Sequence, residues 1–314
     1  MSIRQSKPST AATLLIAAIA STCGHLSARE SSRGAHRISF RSSDSSRAAI
    51  EVDTEIVRVP VTVTDSNNHP VTDLGRCSFR VYEDNVEQAV LSVHKEDGPV
   101  SVGFLVDTSR SMKGRIACSR AAIRQFLSTN MPGDEYFLLR FGSDSSMLRD
   151  FTSRPQDIAE ALSSLRTGGW TSLNDAIYRG LDAIGRARNM RKALVVLTDG
   201  GDNYSRYPDS EVRKMARESD VRVYSIGLFT RPDFLEELGR ESGGKAYWAR
   251  TAADVPAIVH ELSQELRGEY LLGYVPANRP MDGKYHHIKV RLVEPKQRLP
   301  LHVSWRRGYY TLAD

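Results

Sequence analysis

Apolar and polar positions follow three different rules along this chain. From Ile50 they alternate: Val57, Val59, Val61 and Val63 fall on one side of an extended segment, and Arg58, Pro60, Thr62 and Thr64 on the other. That period predicts a half-buried strand. Pro60 cannot donate a ladder hydrogen bond, which places this strand at a sheet edge. Asp65 to Pro70 is rich in turn formers, and short strand patterns follow over Ser78 to Tyr82 and Val90 to His94. Residues 50–98 therefore read as one part of a small β module.

At Val100 the alternation gives way to continuous apolar runs, Val102 to Val106, Tyr136 to Phe141, Ala193 to Leu197 and Val221 to Ile226. Runs of this kind suit strands covered on both faces. Amphipathic stretches separate them. The clearest begins at Leu173, with Ala176, Ile177, Gly180, Leu181 and Ile184 on one stripe and Asn174, Asp175, Arg179 and Asp182 off it. Ser172 with Asp175 resembles a capping box at its start. Other helices are expected over 115–127 and near 155–165, 209–218, 232–241 and 254–267. Strands alternating with helices predict an α/β domain over 99–267 built on a doubly wound, mostly parallel sheet.

After Arg267 the strand pattern returns, over Tyr270 to Val275, then at Ile288, Val290 and Leu292, and near His302 to Trp305. The expectation is that residues 268–314 pair with residues 50–98 in a single flanking β module, with the α/β domain inserted between its halves.

The charge is unevenly placed. The net charge is +5, and residues 1–48 account for all of it, with Arg4, Lys7, Arg29, Arg33, Arg37, Arg41 and Arg47 against Glu30 and Asp44. The remaining chain is neutral and lacks the electrostatic footprint that a phosphate backbone selects, which argues against nucleic-acid binding. Arg4 and Lys7 precede a small apolar stretch from Ala11 to Ala20 and a small-residue site at Leu26-Ser27-Ala28, the grammar of an export signal over 1–28. The stretch is about half the roughly 20 residues a spanning helix needs, so no integral membrane span is expected. Cys23 would be the attachment point if the chain were lipid-anchored, but Ala20-Ser21-Thr22 fits a lipoprotein signal poorly. The Ser- and Arg-rich segment 29–49 reads as a disordered tether. The expected location is secreted, periplasmic or envelope-associated. Cys77 and Cys118 have no metal spacing and are expected to be free thiols.

In open α/β sheets, ligands bind beyond the carboxyl ends of the strands. The first strand ends at Asp107 and continues Thr108-Ser109-Arg110-Ser111; a later one ends at Thr198-Asp199, followed by Gly200-Gly201-Asp202. Between them Gly168-Gly169-Trp170-Thr171 opens the amphipathic helix. Asp107, Ser109, Ser111, Thr171 and Asp199 are hard oxygen donors. Six oxygens about a small cation is Mg²⁺ geometry, and two serines, a threonine and two aspartates leave a position open. Mn²⁺ and Ca²⁺ are the other candidates. Arg110, Trp170 and Asp202 stand close enough in sequence to contact a ligand. Each oxygen also has a local use, as a helix cap or a turn, but separate caps have no reason to gather at one sheet edge.

At these residues the sequence resembles the von Willebrand factor type A domain, whose metal-ion-dependent adhesion site reads Asp-x-Ser-x-Ser, then a distant Thr, then a distant Asp. The resemblance covers about Pro99 to Arg267. It implies that Ser109, Ser111 and Thr171 meet the metal directly or nearly so, that Asp107 and Asp199 act mostly through water, and that the open position takes a carboxylate from a partner protein. Val61 to Asp65, Asp73-Leu74, Phe79 to Asp84, the Gly-Gly-Lys run at Lys245, Leu266 to Tyr274 and Arg307-Gly308-Tyr309-Tyr310 are similar to the von Willebrand factor A-related family of exported acidobacterial proteins. Arg110 departs from that pattern, standing where the family usually has Gly.

Catalytic alternatives lack their signatures. Gly-x-Ser-x-Gly is absent, as is the Walker loop. Asp107 would need a second Asp two residues on for aspartyl phosphoryl transfer and has Ser109 instead. His286-His287 alternates faces and reads as a pair of surface histidines. The expectation is a non-catalytic exported adhesion module that binds Mg²⁺ and captures an acidic group, Asp or Glu, of a protein partner. The alternative is an envelope scaffold whose metal site is vestigial.

Overall fold

The computed structural model describes residues 27–29, 35–39, 54–231, 233–277, 282–293 and 300–311. By its contacts the chain divides into two units, residues 1–56 and 57–314. In the first, β1 (Ser27–Arg29) pairs antiparallel with β2 (Ala35–Ser39), Ala28 opposite Ile38. Cys23, the apolar stretch from Ala11 to Ala20 and most of the segment read as a tether lie outside the described residues.

The second unit takes in β3 (Thr54–Thr64) from Val57 onward, then β4 (Phe79–Glu83), β5 (Val86–Gln88) and β6 (Val90–Glu96). A doubly wound region follows: β7 (Val100–Asp107), α1 (Ile116–Leu127), β8 (Glu135–Phe141), β9 (Ser145–Thr152), α2 (Pro155–Ser163), α3 (Leu173–Ile184), β10 (Arg191–Thr198), α4 (Asp209–Glu218), β11 (Val221–Leu228), α5 (Asp233–Ser242), β12 (Ala246–Ala249) and α6 (Val255–Arg267). Last come β13 (Glu269–Tyr274), β14 (Tyr285–Leu292), β15 (His302–Trp305) and β16 (Gly308–Tyr310).

The central sheet runs β12-β11-β10-β7-β8-β9. Every neighbouring pair is parallel except β8 with β9. Both faces are covered, as the continuous apolar runs require. Val100, Val102, Phe104 and Val106 of β7 pack with Ile123 and Phe126 of α1 and with Val259 and Leu262 of α6. Leu105 faces the other way, toward Ala176, Ile177 and Leu181 of α3 and Leu235 and Leu238 of α5. The strand pleat thus feeds two cores from one element. Gly103 belongs to that second face, where a β-carbon would overlap the Phe137 ring.

The flanking segments do pair with each other. Strand β13 lies between β3 and β6, antiparallel to both, and β14 pairs with β4, Val290 opposite Val81. The two sheets, β15-β3-β13-β6 and β16-β14-β4-β5, share a core of Val57, Val59, Val61, Val63, Phe79, Val81, Tyr270, Leu272, Tyr274, Ile288 and Val290. Three expectations are corrected here. Strand β3 is not an edge, because β15 pairs with its other side; that pairing stops at Trp305 opposite Val61, one residue short of Pro60, which is how the proline is accommodated. Its polar side is not solvated throughout either, since Thr62 and Thr64 are buried. His286 is not a surface residue: it is 7% exposed, with Asp84 Oδ2 2.7 Å from Nδ1 and Asp282 Oδ1 3.1 Å from Nε2. Cys77 and Cys118 are both free.

The β sheets meet the amino ends of the central strands. Glu269, at the start of β13, receives Arg191 Nε at 3.1 Å and Arg222 Nη2 at 2.7 Å, and all three side chains are buried. Arg191 Nη1 also donates to the Gly98 carbonyl at 2.6 Å, and Arg222 Nη1 to Thr62 Oγ1 at 3.3 Å. This joint leaves the carboxyl ends of the strands clear of the β module.

Candidate functional site

Strands β7 and β10 are hydrogen-bonded neighbours. From β7 the chain leaves toward β8 on one side, while β10 lies on the other, so their carboxyl ends flank a topological switch point. Asp107 closes β7 there, fully buried. Its Oδ1 accepts the Ser109 N–H at 2.7 Å and its Oδ2 accepts the Thr198 hydroxyl at 2.6 Å. Burial pushes the Asp107 carboxyl above its ordinary range, the bonds from Thr198 and Ser109 oppose that push, and the charge of Asp199 adds to it.

In front of this carboxylate runs a chain of oxygens. Ser109 Oγ lies 3.0 Å from Ser111 Oγ, and Ser111 Oγ donates to Asp199 Oδ1 at 2.7 Å. Neither serine hydroxyl caps a helix. The 3₁₀ turn Arg110–Met112 takes no side-chain bond from Ser109, and α1 begins after Arg115.

The third segment is tied in through the backbone. Gly168 N–H donates to the Thr108 carbonyl at 2.8 Å and Arg110 N–H to the Gly169 carbonyl at 3.2 Å. Gly169 has φ +79°, which a side chain would resist, and lets the loop turn against Ser143. Thr171 follows, buried, its N–H bonded to Asn203 Oδ1 at 2.9 Å and its carbonyl accepting the N–H groups of Asn203 and Tyr204. Its hydroxyl has no hydrogen-bond partner among the described residues. The capping box expected at Ser172 is absent: Ser172 Oγ donates to the Gly142 carbonyl at 2.7 Å, and Asp175 accepts the N–H groups of Arg206 and Tyr207.

The outer candidates separate. Asp202 faces the start of α3, accepting Asn174 N–H at 3.2 Å. Trp170 is 60% exposed and stacks on Tyr204, itself 55% exposed, with ring centroids 6.3 Å apart. Arg110 is exposed, and its guanidinium has no hydrogen bond among the described residues. Two participants escape a motif-based reading. Thr198 orients Asp107, a role its place just before Asp199 could have suggested. Arg115 donates to Asp199 Oδ2 at 2.6 Å and lies 5.2 Å from the centre of the Phe229 ring. Nothing in the pattern marks that arginine.

The donor set suits a hard divalent cation: hydroxyls of Ser109, Ser111 and Thr171 and carboxylates of Asp107 and Asp199, oxygen throughout, on three loops held together by backbone bonds. This cluster stands at the switch point of a doubly wound α/β domain, where sheets of this kind bind ligands. Residues 102–201 match the family described as the von Willebrand factor type A domain.

The inter-alpha-trypsin inhibitor heavy chain H4 of Sus scrofa is 26% identical over 189 residues, 55% of this chain and 20% of that protein. The heavy chain H3 of Bos taurus is 24% identical over 214 residues, 60% of this chain and 24% of that one. The chain thus spans about a fifth to a quarter of the length of these relatives. Among solved structures, a von Willebrand factor type A protein from Catenulispora acidiphila superposes with a TM-score of 0.50 at 10% identity, over 85% of this chain and 75% of that one, a likeness of fold. No helix among the described residues is long and apolar enough to cross a membrane.

Proposed function

We propose that this chain is a non-catalytic, exported protein-binding module that holds Mg²⁺ through Asp107, Ser109, Ser111, Thr171 and Asp199 and captures an Asp or Glu side chain of a protein partner. The observation that carries the reading is the continuous hydrogen-bonded path Ser109–Ser111–Asp199 in front of the buried Asp107. Hydroxyls and carboxylates from separate loops are already within about 3 Å of one another, so little reorganisation precedes metal binding. The unbonded Thr171 hydroxyl agrees with it. Bound there, the cation would supply a positive centre with open coordination for an acidic oxygen. The exposed Trp170 and Tyr204 beside the site offer the apolar contact area that protein interfaces favour.

The test is thermal unfolding of the full chain in EDTA and in Mg²⁺, Mn²⁺ or Ca²⁺, with Asp107→Ala and Ser109→Ala alongside. Metal at about 100 times its dissociation constant should add roughly 2.7 kcal/mol, a rise on the order of 4 to 5 °C. Both substitutions should abolish the rise. If millimolar metal leaves the midpoint of the wild-type chain unchanged, the adhesion reading fails and an envelope scaffold with a vestigial site takes its place.

A further inference from the structure

At the amino ends of the central strands, away from Asp107, a cleft of about 490 Å³ opens between the start of β12, the end of α5 and strand β15. That volume lies within the roughly 300 to 1,000 Å³ of small-molecule sites. Two glycines shape it. Gly243, at φ +81°, brings its Cα so close to β15 that a β-carbon would stand 2.6 Å from the Arg306 backbone nitrogen. A β-carbon on Gly244 would overlap the Val223 carbonyl. The Gly-Gly-Lys run thus locks the turn after α5 against two strands and leaves the space beside it open.

The charges lining this space are unevenly matched. Lys245 Nζ is held 2.5 Å from Glu261 Oε1, and Glu236 is held 2.6 Å from Arg231 Nη2. Arg240 and Arg307 have no such partner: neither guanidinium makes a hydrogen bond or ion pair among the described residues. Arg307 is instead stacked on the Trp305 ring at 3.8 Å, which fixes its plane. Burial and the like charge of Arg240 push the Arg307 guanidinium below its ordinary value, although it stays a cation. Glu265 also lines the cleft. Its Oε2 accepts the Tyr247 hydroxyl at 2.8 Å, while its Oε1 is buried with no hydrogen-bond partner among the described residues. Burial pushes this carboxyl up, favouring the protonated form, which has a proton to donate.

We propose that this cleft is a binding site for a small multivalent oxyanion, held by the guanidinium groups of Arg240 and Arg307 with the Glu265 carboxyl completing its hydrogen bonds. Planar guanidinium forks match carboxylate and phosphate oxygens two at a time. An anion here would relieve the repulsion between the two arginines and satisfy the orphaned Glu265 oxygen, two otherwise unanswered features of one cavity. The site is independent of the metal cluster.

Isothermal titration of the full chain, stripped of metal and then dialysed free of chelator, with citrate and with inorganic phosphate tests it, because the Asp107 site is silent without metal. Saturable binding is expected, weakened tenfold or more by Arg307→Ala and by Arg240→Ala and unchanged by Asp107→Ala. Stronger binding of citrate identifies a polycarboxylate as the ligand class; stronger binding of phosphate identifies a phosphate ester. Arg240 is exposed on the last turn of α5, so Arg240→Ala should fold even if Arg307→Ala does not. No saturable heat with either probe up to about 10 mM, or affinity unaffected by the Arg240 substitution, overturns the proposal.

Discussion

Arg115 Nη1 lies 2.6 Å from Asp199 Oδ2, so the carboxylate that closes the oxygen cluster already has a cation of its own. The Asp199 side chain is fully buried, while Arg115 is 38% exposed and shielded by Phe229 on one side. A metal ion and this guanidinium compete for the same negative charge. Removing the arginine should therefore strengthen metal binding while weakening the metal-free fold. In Arg115→Ala the stability in EDTA should fall, by about 1 to 3 kcal/mol for a buried carboxylate that loses its partner. The further rise produced by Mg²⁺ should exceed that of the wild-type chain. An equal or smaller metal-induced rise in the variant would show that Arg115 does not compete.

Glu269 serves two buried arginines at once, Arg191 from β10 and Arg222 from β11. Replacing it leaves both guanidiniums without their carboxylate between the central sheet and the β module. Glu269→Gln should lower stability by roughly 3 to 5 kcal/mol, the cost of breaking a buried pair from one side. Urea denaturation followed by tryptophan fluorescence would measure it. A loss below about 1 kcal/mol would mean that backbone carbonyls such as that of Gly98 satisfy the arginines alone.

The contrast between the oxygen cluster and these ion pairs explains what is legible in the sequence. Oxygen donors sit at strand ends in a fixed spacing, and strand ends are visible as the close of apolar runs, so the spacing alone places Asp107, Ser109, Ser111, Thr171 and Asp199 at one sheet edge. The helices are legible for the same reason, their stripes being periodic. Strand β9 is not: Ser145–Thr152 is only half-buried at a sheet edge and mixes polar with apolar residues. Strand β12, four residues long, gives too little pattern to register. Arg115 and Arg222 escape because their carboxylate partners lie 84 and 47 residues away, and His286 because one of its two, Asp84, lies 202 residues away; such pairings follow from topology rather than local spacing. Pro60 misleads because its local rule is sound, while β15, arriving from the far end of the chain, stops just short of it.

Gly244 makes a stringent test of the packing between α5 and β11. Since a β-carbon there would overlap the Val223 carbonyl, and backbone cannot swing aside as a long side chain can, Gly244→Ala should cost about 1 to 3 kcal/mol. Gly201→Ala is the internal control, because nothing lies within 4 Å of a β-carbon at Gly201. Equal melting temperatures for the two variants would refute the overlap.

His286 gives the β module a dependence on pH whose sign can be worked out. Burial opposes a charged imidazole, but the carboxylates of Asp84 and Asp282, one on each ring nitrogen, outweigh it and raise the His286 pKa above its usual 6.5. Glu83 also stands close, though its Oε2 is engaged by the Tyr274 and Tyr309 hydroxyls, and the Tyr309 ring lies 5.9 Å from the imidazole. A group whose pKa is higher folded than unfolded binds its proton more tightly in the folded state. Its contribution is complete below about pH 6.5 and fades as pH rises through the higher folded value. His286→Gln keeps a hydrogen-bonding side chain and removes the charge. The stability difference between wild type and His286→Gln, from urea denaturation at a series of pH values, should be largest near pH 6 and should shrink on the alkaline side. Asp282→Asn, which takes away one of the two carboxylates but leaves the histidine, should move the decline to lower pH. A difference that stays constant between pH 5.5 and about 9 would mean that His286 is neutral in the folded chain and that packing alone accounts for its place between the two carboxylates.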